Sequence, residues 1–596
     1  GDVLSGGSLV INSGATVYGT NHYFGRGIST ITINGGTYDA SNSSWYWNSF
    51  SGNLIMNGGT WTAGSVGYAV SPGSYTLSGN NTITQLSLGG GTFNVTNGTT
   101  TITSNSTIAS AITKNGSGTL SLLGNSTYTG ITTLNNGTLG IGFGTAIGTS
   151  TLTIVSGTLD NTSGAAITLT NNNTQNWNGD FTFAGTRDLD LGTGNVTMNA
   201  SRTVTVSAGN LTVGGIISGS GFALTKNGSG TMILTGLNTY SGATTLNAGT
   251  LQLKAAATNL YNTGNVTFNI NNGSTLLLST GAAGNPLLQG TVINIDSNGG
   301  ATIVNDALNG LIQGSSGFVT INTNGGAQSQ INLTNGGRWN NQGGGGGFIF
   351  NVASGTNATA DLLLSGSSAV TGQYGITKNG NGKVLIQENG NVGGNVTINA
   401  GTLEWGGTAA PSFAAGYAIL NNGTLSWNST GSSTFSNNIT GTGVITQRNG
   451  NLTLTGSANT YNGSTTVSGG TLQLGGNISS SALTVNSGGV ISVGTDSTIT
   501  TVNKVNAASI TLNGGSGYAV TIGNVTSSVA GTDYDQLTAT GALTFNNTAA
   551  NPFAIYLNGT PTGWSNTGNY SWTILSAASQ TGFGAGNMTL DFSSFG

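Results

Sequence analysis

Apolar residues alternate with small polar ones along almost the whole chain, as in Thr119-Leu120-Ser121-Leu122, Leu251-Gln252-Leu253 and Leu452-Thr453-Leu454. A period of two, bounded by Asn-Gly and Gly-Gly pairs, predicts short strands with one buried face. Asn and Gly suit the bounding turns because both tolerate positive φ. Thr, Asn, Ser and Gly occur in nearly every stretch and rank poorly in helices, so helix is largely excluded.

A short unit recurs within this pattern: an aliphatic residue or Met, Asn or Ser, a Gly-containing pair, then Thr or Ala and an apolar residue. It reads INSGATV from Ile11, INGGTYD from Ile33, MNGGTWT from Met56, LNNGTLG from Leu134, LNAGTLQ from Leu246, INAGTLE from Ile398 and LNNGTLS from Leu420. Neighbours such as Ile11 and Ile33, or Ile398 and Leu420, are 22 residues apart, the length of one coil of a β-solenoid. The expected fold is all-β, a parallel β-helix. Its repeat turns are placed at Asn135, Gly137, Asn247, Gly249, Asn399, Gly401, Asn421 and Gly423, where the asparagines are expected to stack as amide ladders.

Above this unit lies a 26-residue block. It runs KNGSGTLSLLGNSTYTGITTLNNGTL from Lys114 to Leu139 and KNGSGTMILTGLNTYSGATTLNAGTL from Lys226 to Leu251. A drifted third copy spans Lys378 to Leu403, and a fourth spans Gln447 to Leu472. Lys114, Lys226 and Lys378 open three of the copies. A catalytic lysine has no need of three copies, so these are expected to be solvated turn residues.

Composition narrows the picture. Glycine supplies 104 of 596 residues and only 4% are charged, against a usual ~25% charged, so a folded repeat is favoured over a charge-expanded disordered chain. There are no cysteines, which removes disulfides and thiolate metal sites. A net charge of −4 without a basic run argues against nucleic acid. No apolar run approaches the ~20 residues of a membrane helix. No signal peptide is seen and Gly1 is no initiator, so a mature or trimmed product is expected.

Coils are expected over 1–505, interrupted by aromatic insertions at 18–27 and 41–51 and by the run Gly343–Gly347. From 506 to 596 the texture changes, and Phe553, Tyr556, Trp564, Tyr570, Trp572, Phe583, Phe592 and Phe595 mark a C-terminal β-rich module expected to cover the last coils or mediate association.

The 26-residue block resembles the passenger-associated strand repeat of bacterial autotransporters. The tail GTDYDQLTATGALTF, Gly531 to Phe545, is similar to the end of repeat-rich surface proteins from bacteria that use exosortase sorting. The resemblance implies a right-handed parallel β-helix exported across the bacterial envelope to the cell surface or beyond. A membrane-barrel pattern and a Pro-Glu-Pro sorting tail, which those two groups carry, are missing.

Candidate chemistry is sparse. Asp188 and Asp190 share a strand face beside Arg187 and are read as a solvated pair rather than the two tuned carboxylates of a glycosidase. Glu388 and Glu404 are separated. Asp533 and Asp535 are assigned to a turn or strand end, since calcium wants 6–8 oxygen ligands and no third acid is near. His22, the only histidine, lies beside Arg26 in an aromatic insertion and is read as inert. Thr99-Thr100-Thr101 and Thr132-Thr133 raise ice binding, but no strict threonine rank is evident. The many Asn-x-Ser/Thr triplets are expected by chance in such a chain. No catalytic, cofactor or metal residues are assigned.

Trp45, Tyr46, Trp47 and Trp61, with Trp564 and Trp572, are the candidate interface residues, suited to a partner surface or to sugar stacking. The preferred expectation is a structural surface protein that binds itself end to end by β-augmentation into a filament, sheath or matrix. An adhesin-like stalk that binds host or extracellular glycan surfaces is the alternative, and a polysaccharide-active enzyme the third reading.

Overall fold

The computed structural model describes residues 7–19, 28–41, 52–62, 74–84, 91–103, 111–255, 267–271, 273–280, 291–296, 300–305, 311–313, 318–333, 338–341, 347–357, 359–366, 371–372, 375–387, 389–494, 502–565 and 567–595. They fall into two compact units, Gly1–Pro286 and Leu287–Gly596. Each is a β-solenoid of short strands stacked in parallel, with no α-helix among the described residues.

The alternation explains the stack. In the first unit Ile112–Asn115 pairs in parallel with Gly91–Val95 on one side and Thr132–Leu134 on the other. Leu152–Ile154, Gln175–Trp177 and Val196–Met198 continue that ladder. Phe93, Lys114, Leu134, Ile154, Trp177 and Met198 are successive partners in it, and all six are buried. The intervening Thr92, Thr113, Thr133, Thr153, Asn176 and Thr197 form a column on the opposite face. One residue of slip would exchange the two sets, so the apolar column specifies the register.

The closing turns require glycine for two reasons. Gly137, Gly249 and Gly401 sit at φ of 71°, 66° and 67°, a left-handed conformation costly for L side chains. Coils also approach closely there, and a Cβ on Gly137 would lie 2.2 Å from the carbonyl oxygen of Gly116 one coil earlier.

The 26-residue block does not keep to one face. In the first unit the second strand of copy one, Thr119–Leu122, is followed in its ladder by Thr138–Ile141, Thr158–Asn161, Phe181–Phe183 and Arg202–Val206. The next strand in that ladder is Leu224–Asn227, the lysine-bearing first strand of copy two. The second unit repeats the shift: Ile386 of copy three leads through Trp405 and Trp427 to Gln447 of copy four. Within each unit the later copy is turned by one face of the solenoid.

Residues 506–596 stack in the ladders already running in the second unit. Lys504–Asn513 pairs with Ile478–Val485, and Gly517–Thr521 with Gly489–Val493, so position 505/506 lies inside a strand. One buried column runs Leu452, Leu472, Ile491, Tyr518, Ile555 and ends at Leu590. Ile555 is 4% exposed, while Leu590 is 56% exposed.

Candidate functional site

The expectation that Lys114, Lys226 and Lys378 are solvated is overturned. They are 0%, 1% and 0% exposed and occupy the inward column beside Leu134, Leu246 and Ile398. The physical reason is phase: in Ile112-Thr113-Lys114, Leu224-Thr225-Lys226 and Ile376-Thr377-Lys378 the lysine stands two residues after a buried aliphatic, hence on the same face. That phase was readable in the sequence and outweighs the general rule that lysine stays exposed.

Backbone carbonyls hold each ammonium. Lys114 Nζ donates to the carbonyls of Asn115 and Gly116 at 2.7 Å each and to Asn136, one coil later, at 3.0 Å. Lys226 donates to Asn227, Gly228 and Ala248 at 3.2, 2.7 and 3.0 Å. Lys378 donates to Asn379, Gly380 and Ala400 at 2.8, 2.7 and 3.2 Å. Three N–H donors meet three turn carbonyls, which satisfies the group without a counter-ion. Burial pulls all three ammonium groups down to about pKa 8, and for Lys378 the charge of Asp361 acts in the opposite direction.

Copy four has Gln447 in this place. Its Nε2 donates to the carbonyls of Asn449 and Gly450 at 2.8 and 2.9 Å, both in its own turn, and its buried Oε1 has no hydrogen-bond partner. In blocks one, two and four a buried tyrosine clasps the threonine at a strand's start: Tyr128 with Thr132 at 2.5 Å, Tyr240 with Thr244 at 2.6 Å and Tyr461 with Thr465 at 2.7 Å.

The structure places Asn135, Asn247 and Asn399 in side-chain amide ladders on the outer face. Asn135 Nδ2 donates to Asn115 Oδ1 at 2.9 Å, and Asn271, Asn247 and Asn227 form a similar run. A longer run, in the second unit, joins Asn294, Asn322, Asn351, Asn379 and Asn399 by bonds of 2.7 to 2.8 Å. Asn421 stands elsewhere. Asn421 pairs with Ile398 whereas Thr424 pairs with Thr402, so this turn is one residue shorter and Asn421 falls on the inward column. Its Nδ2 donates to the carbonyl of Val444, Leu420 takes the outward place, and Gly423 is outside the left-handed region.

The acids serve the backbone. Asp188 accepts Asn210 N and Nδ2 at 2.9 and 2.8 Å, and Asp190 accepts Gly192 N at 2.8 Å, so the pair is tied down rather than freely solvated. Asp535 accepts Asn503 N and Thr521 N at 2.8 and 2.7 Å. Asp533 accepts Ser527 Oγ and Val529 N, and these bonds hold its carboxyl below the usual range. Glu404 is buried, ion-paired with Lys383 at 2.7 Å and bonded by Ser426 Oγ at 2.8 Å. Among the described residues no group of three or more His, Asp or Glu side chains is placed to hold a metal ion.

Of the candidate interface residues, Trp61 is interior: it is 2% exposed and its ring stacks on Tyr38 at 4.3 Å. The phase set by Leu54 and Met56 changes at the irregularity between Asn57 and Gly59, and this brings Trp61 to the core side. Trp564, 40% exposed, stacks on Tyr570 at 5.0 Å, and Tyr570 stacks on Trp572 at 5.8 Å. Phe595 meets Trp564 edge-on at 4.8 Å. Trp45, Tyr46, Trp47, His22, Arg26 and Glu388 lie outside the described residues.

The family model of the passenger-associated-transport-repeat matches residues 112–141, 224–253 and 449–474. Copy three, from Lys378 to Leu403, lies outside these segments and nevertheless holds its lysine in the same three-carbonyl arrangement. No curated protein and no solved structure matches the chain. The repeat family implies a surface or extracellular protein. No helix among the described residues is long and apolar enough to cross a membrane.

Proposed function

We propose that this chain is an exported structural protein of the autotransporter-passenger type that self-associates head to tail into an extracellular filament, sheath or matrix. The repeats and the β-solenoid support the passenger type, whose members are mostly structural or adhesive. The observation that carries self-association is the coil-on-coil parallel pairing of the strands, in a chain of which only 4% of residues are charged. A coil of a second copy can add to such a ladder by β-augmentation. Because the contact joins unlike ends it does not close, and repetition yields a filament.

A structural rather than catalytic role is part of the proposal. It is supported by the way the acids and lysines are bonded to the solenoid's own backbone. An adhesive stalk is the second reading, and the exposed Trp564 favours it, with extracellular glycans as the ligand class.

Sedimentation velocity and negative-stain imaging of the purified chain test the proposal. Concentration-dependent growth into fibres is the expected result. A chain that stays monomeric at high concentration removes it.

A further inference from the structure

We infer that the block lysines are staples between consecutive coils, and that the fourth block, which lacks one, opens more readily than the three stapled blocks. Each lysine binds two carbonyls of its own turn and one carbonyl of the turn 22 residues later, so a single side chain spans a coil boundary. The same boundary carries a second side-chain bond in every stapled block: Asn135 to Asn115, Asn247 to Asn227 and Asn399 to Asn379. In block four both are replaced. Gln447 bonds only within its own turn, and Arg448 and Ser468 stand where the asparagine pair would be.

Backbone pairing does not distinguish the blocks. The amides of Asn135, Asn247, Asn399 and Ser468 donate to the carbonyls of Lys114, Lys226, Lys378 and Gln447 at 3.0, 2.9, 2.8 and 2.7 Å. Block four also keeps its tyrosine clasp, and Thr465 Oγ1 bonds Ser481 Oγ at 2.8 Å. That bond lies at the start of the strand, whereas the missing staple is at its end, so opening is directed to the turn at 467–470. In a solenoid each coil is held only by its neighbours, and loss of one charge-assisted bond at a boundary is felt locally.

Those four amides are equivalent reporters for hydrogen exchange on the full chain at neutral pH. After correction for intrinsic rates, Ser468 is expected to exchange roughly tenfold faster than Asn135, Asn247 and Asn399, the factor a single charge-assisted bond confers. Gln447→Lys should slow Ser468 by a similar factor, and Lys226→Gln should speed Asn247 while leaving Asn135 unchanged. Equal protection at all four amides overturns the inference. If Gln447→Lys fails to fold, an unchanged Asn247 rate in Lys226→Gln overturns it alone.

Discussion

The ammonium of Lys226 lies 3.0 Å from the carbonyl oxygen of Ala248, a residue 22 positions later and one coil away. A cation in the inward column therefore serves as a backbone capping group. Replacing it by an apolar side chain of similar length leaves three turn carbonyls without that donor. Lys226→Met is expected to cost about 2–4 kcal/mol, and Lys226→Gln about 1 kcal/mol less, because Gln447 makes two of the three bonds. Urea unfolding followed by circular dichroism measures both, and a neutral Met variant would refute the capping role.

At Gly137 the substitution to Ala combines a left-handed backbone with a Cβ 2.2 Å from Gly116 O and 2.6 Å from Lys114 Nζ. A loss of at least about 2 kcal/mol is expected. Gly423→Ala is a poor control, since its Cβ would lie 2.5 Å from Gly401 O. Gly164→Ala is better, because its added Cβ meets nothing within 4 Å and only the φ of 88° remains unfavourable. The larger loss belongs to Gly137 if close coil contact matters.

The central Asn351 both donates to Asn322 and accepts from Asn379. Asn351→Ala removes both bonds and is expected to cost about 1–2 kcal/mol, whereas Asn271→Ala, which loses its ladder bond to Asn247, should cost about half as much. Equal losses would argue that the ladder bonds contribute little.

Alkaline pH should first stabilise and then destabilise the chain. The three lysines bind protons less tightly when folded, near pKa 8, than the ordinary value of 10.5, so the unfolded state holds more protons between these values and stability rises with pH there. Burial acts oppositely on tyrosine: Tyr38 and Tyr461 are pushed up to about 12, and the Tyr128 hydroxyl is raised as well. Their stabilisation is complete below pH 10 and is lost as pH climbs toward 12. Urea midpoints from pH 7 to 11 should pass through a maximum near pH 10. A monotonic fall from pH 8 would contradict the lysine assignment, and the triple Lys→Met variant should lack the rise.

Much of the architecture was legible in the chain. The period of two, the 22-residue return of the turn unit and the left-handed Gly137, Gly249 and Gly401 all follow from local chemistry, because strand faces and tight turns are decided by near neighbours in sequence. The inward phase of the lysines was present in Ile112-Thr113-Lys114 too, but a general preference for exposed lysine concealed it.

What only the tertiary structure decided depends on residues a coil apart. The three carbonyls that satisfy Lys114 converge only when Asn136 is stacked against its turn. Asn421 reads as one more ladder asparagine, yet a turn shorter by one residue reverses its side, since register alone separates the core face from solvent. The turning of copy two and copy four onto a new face is likewise invisible in the repeat itself. It accumulates through the lengths of the intervening coils, and those lengths become positions only when each coil is laid on the last.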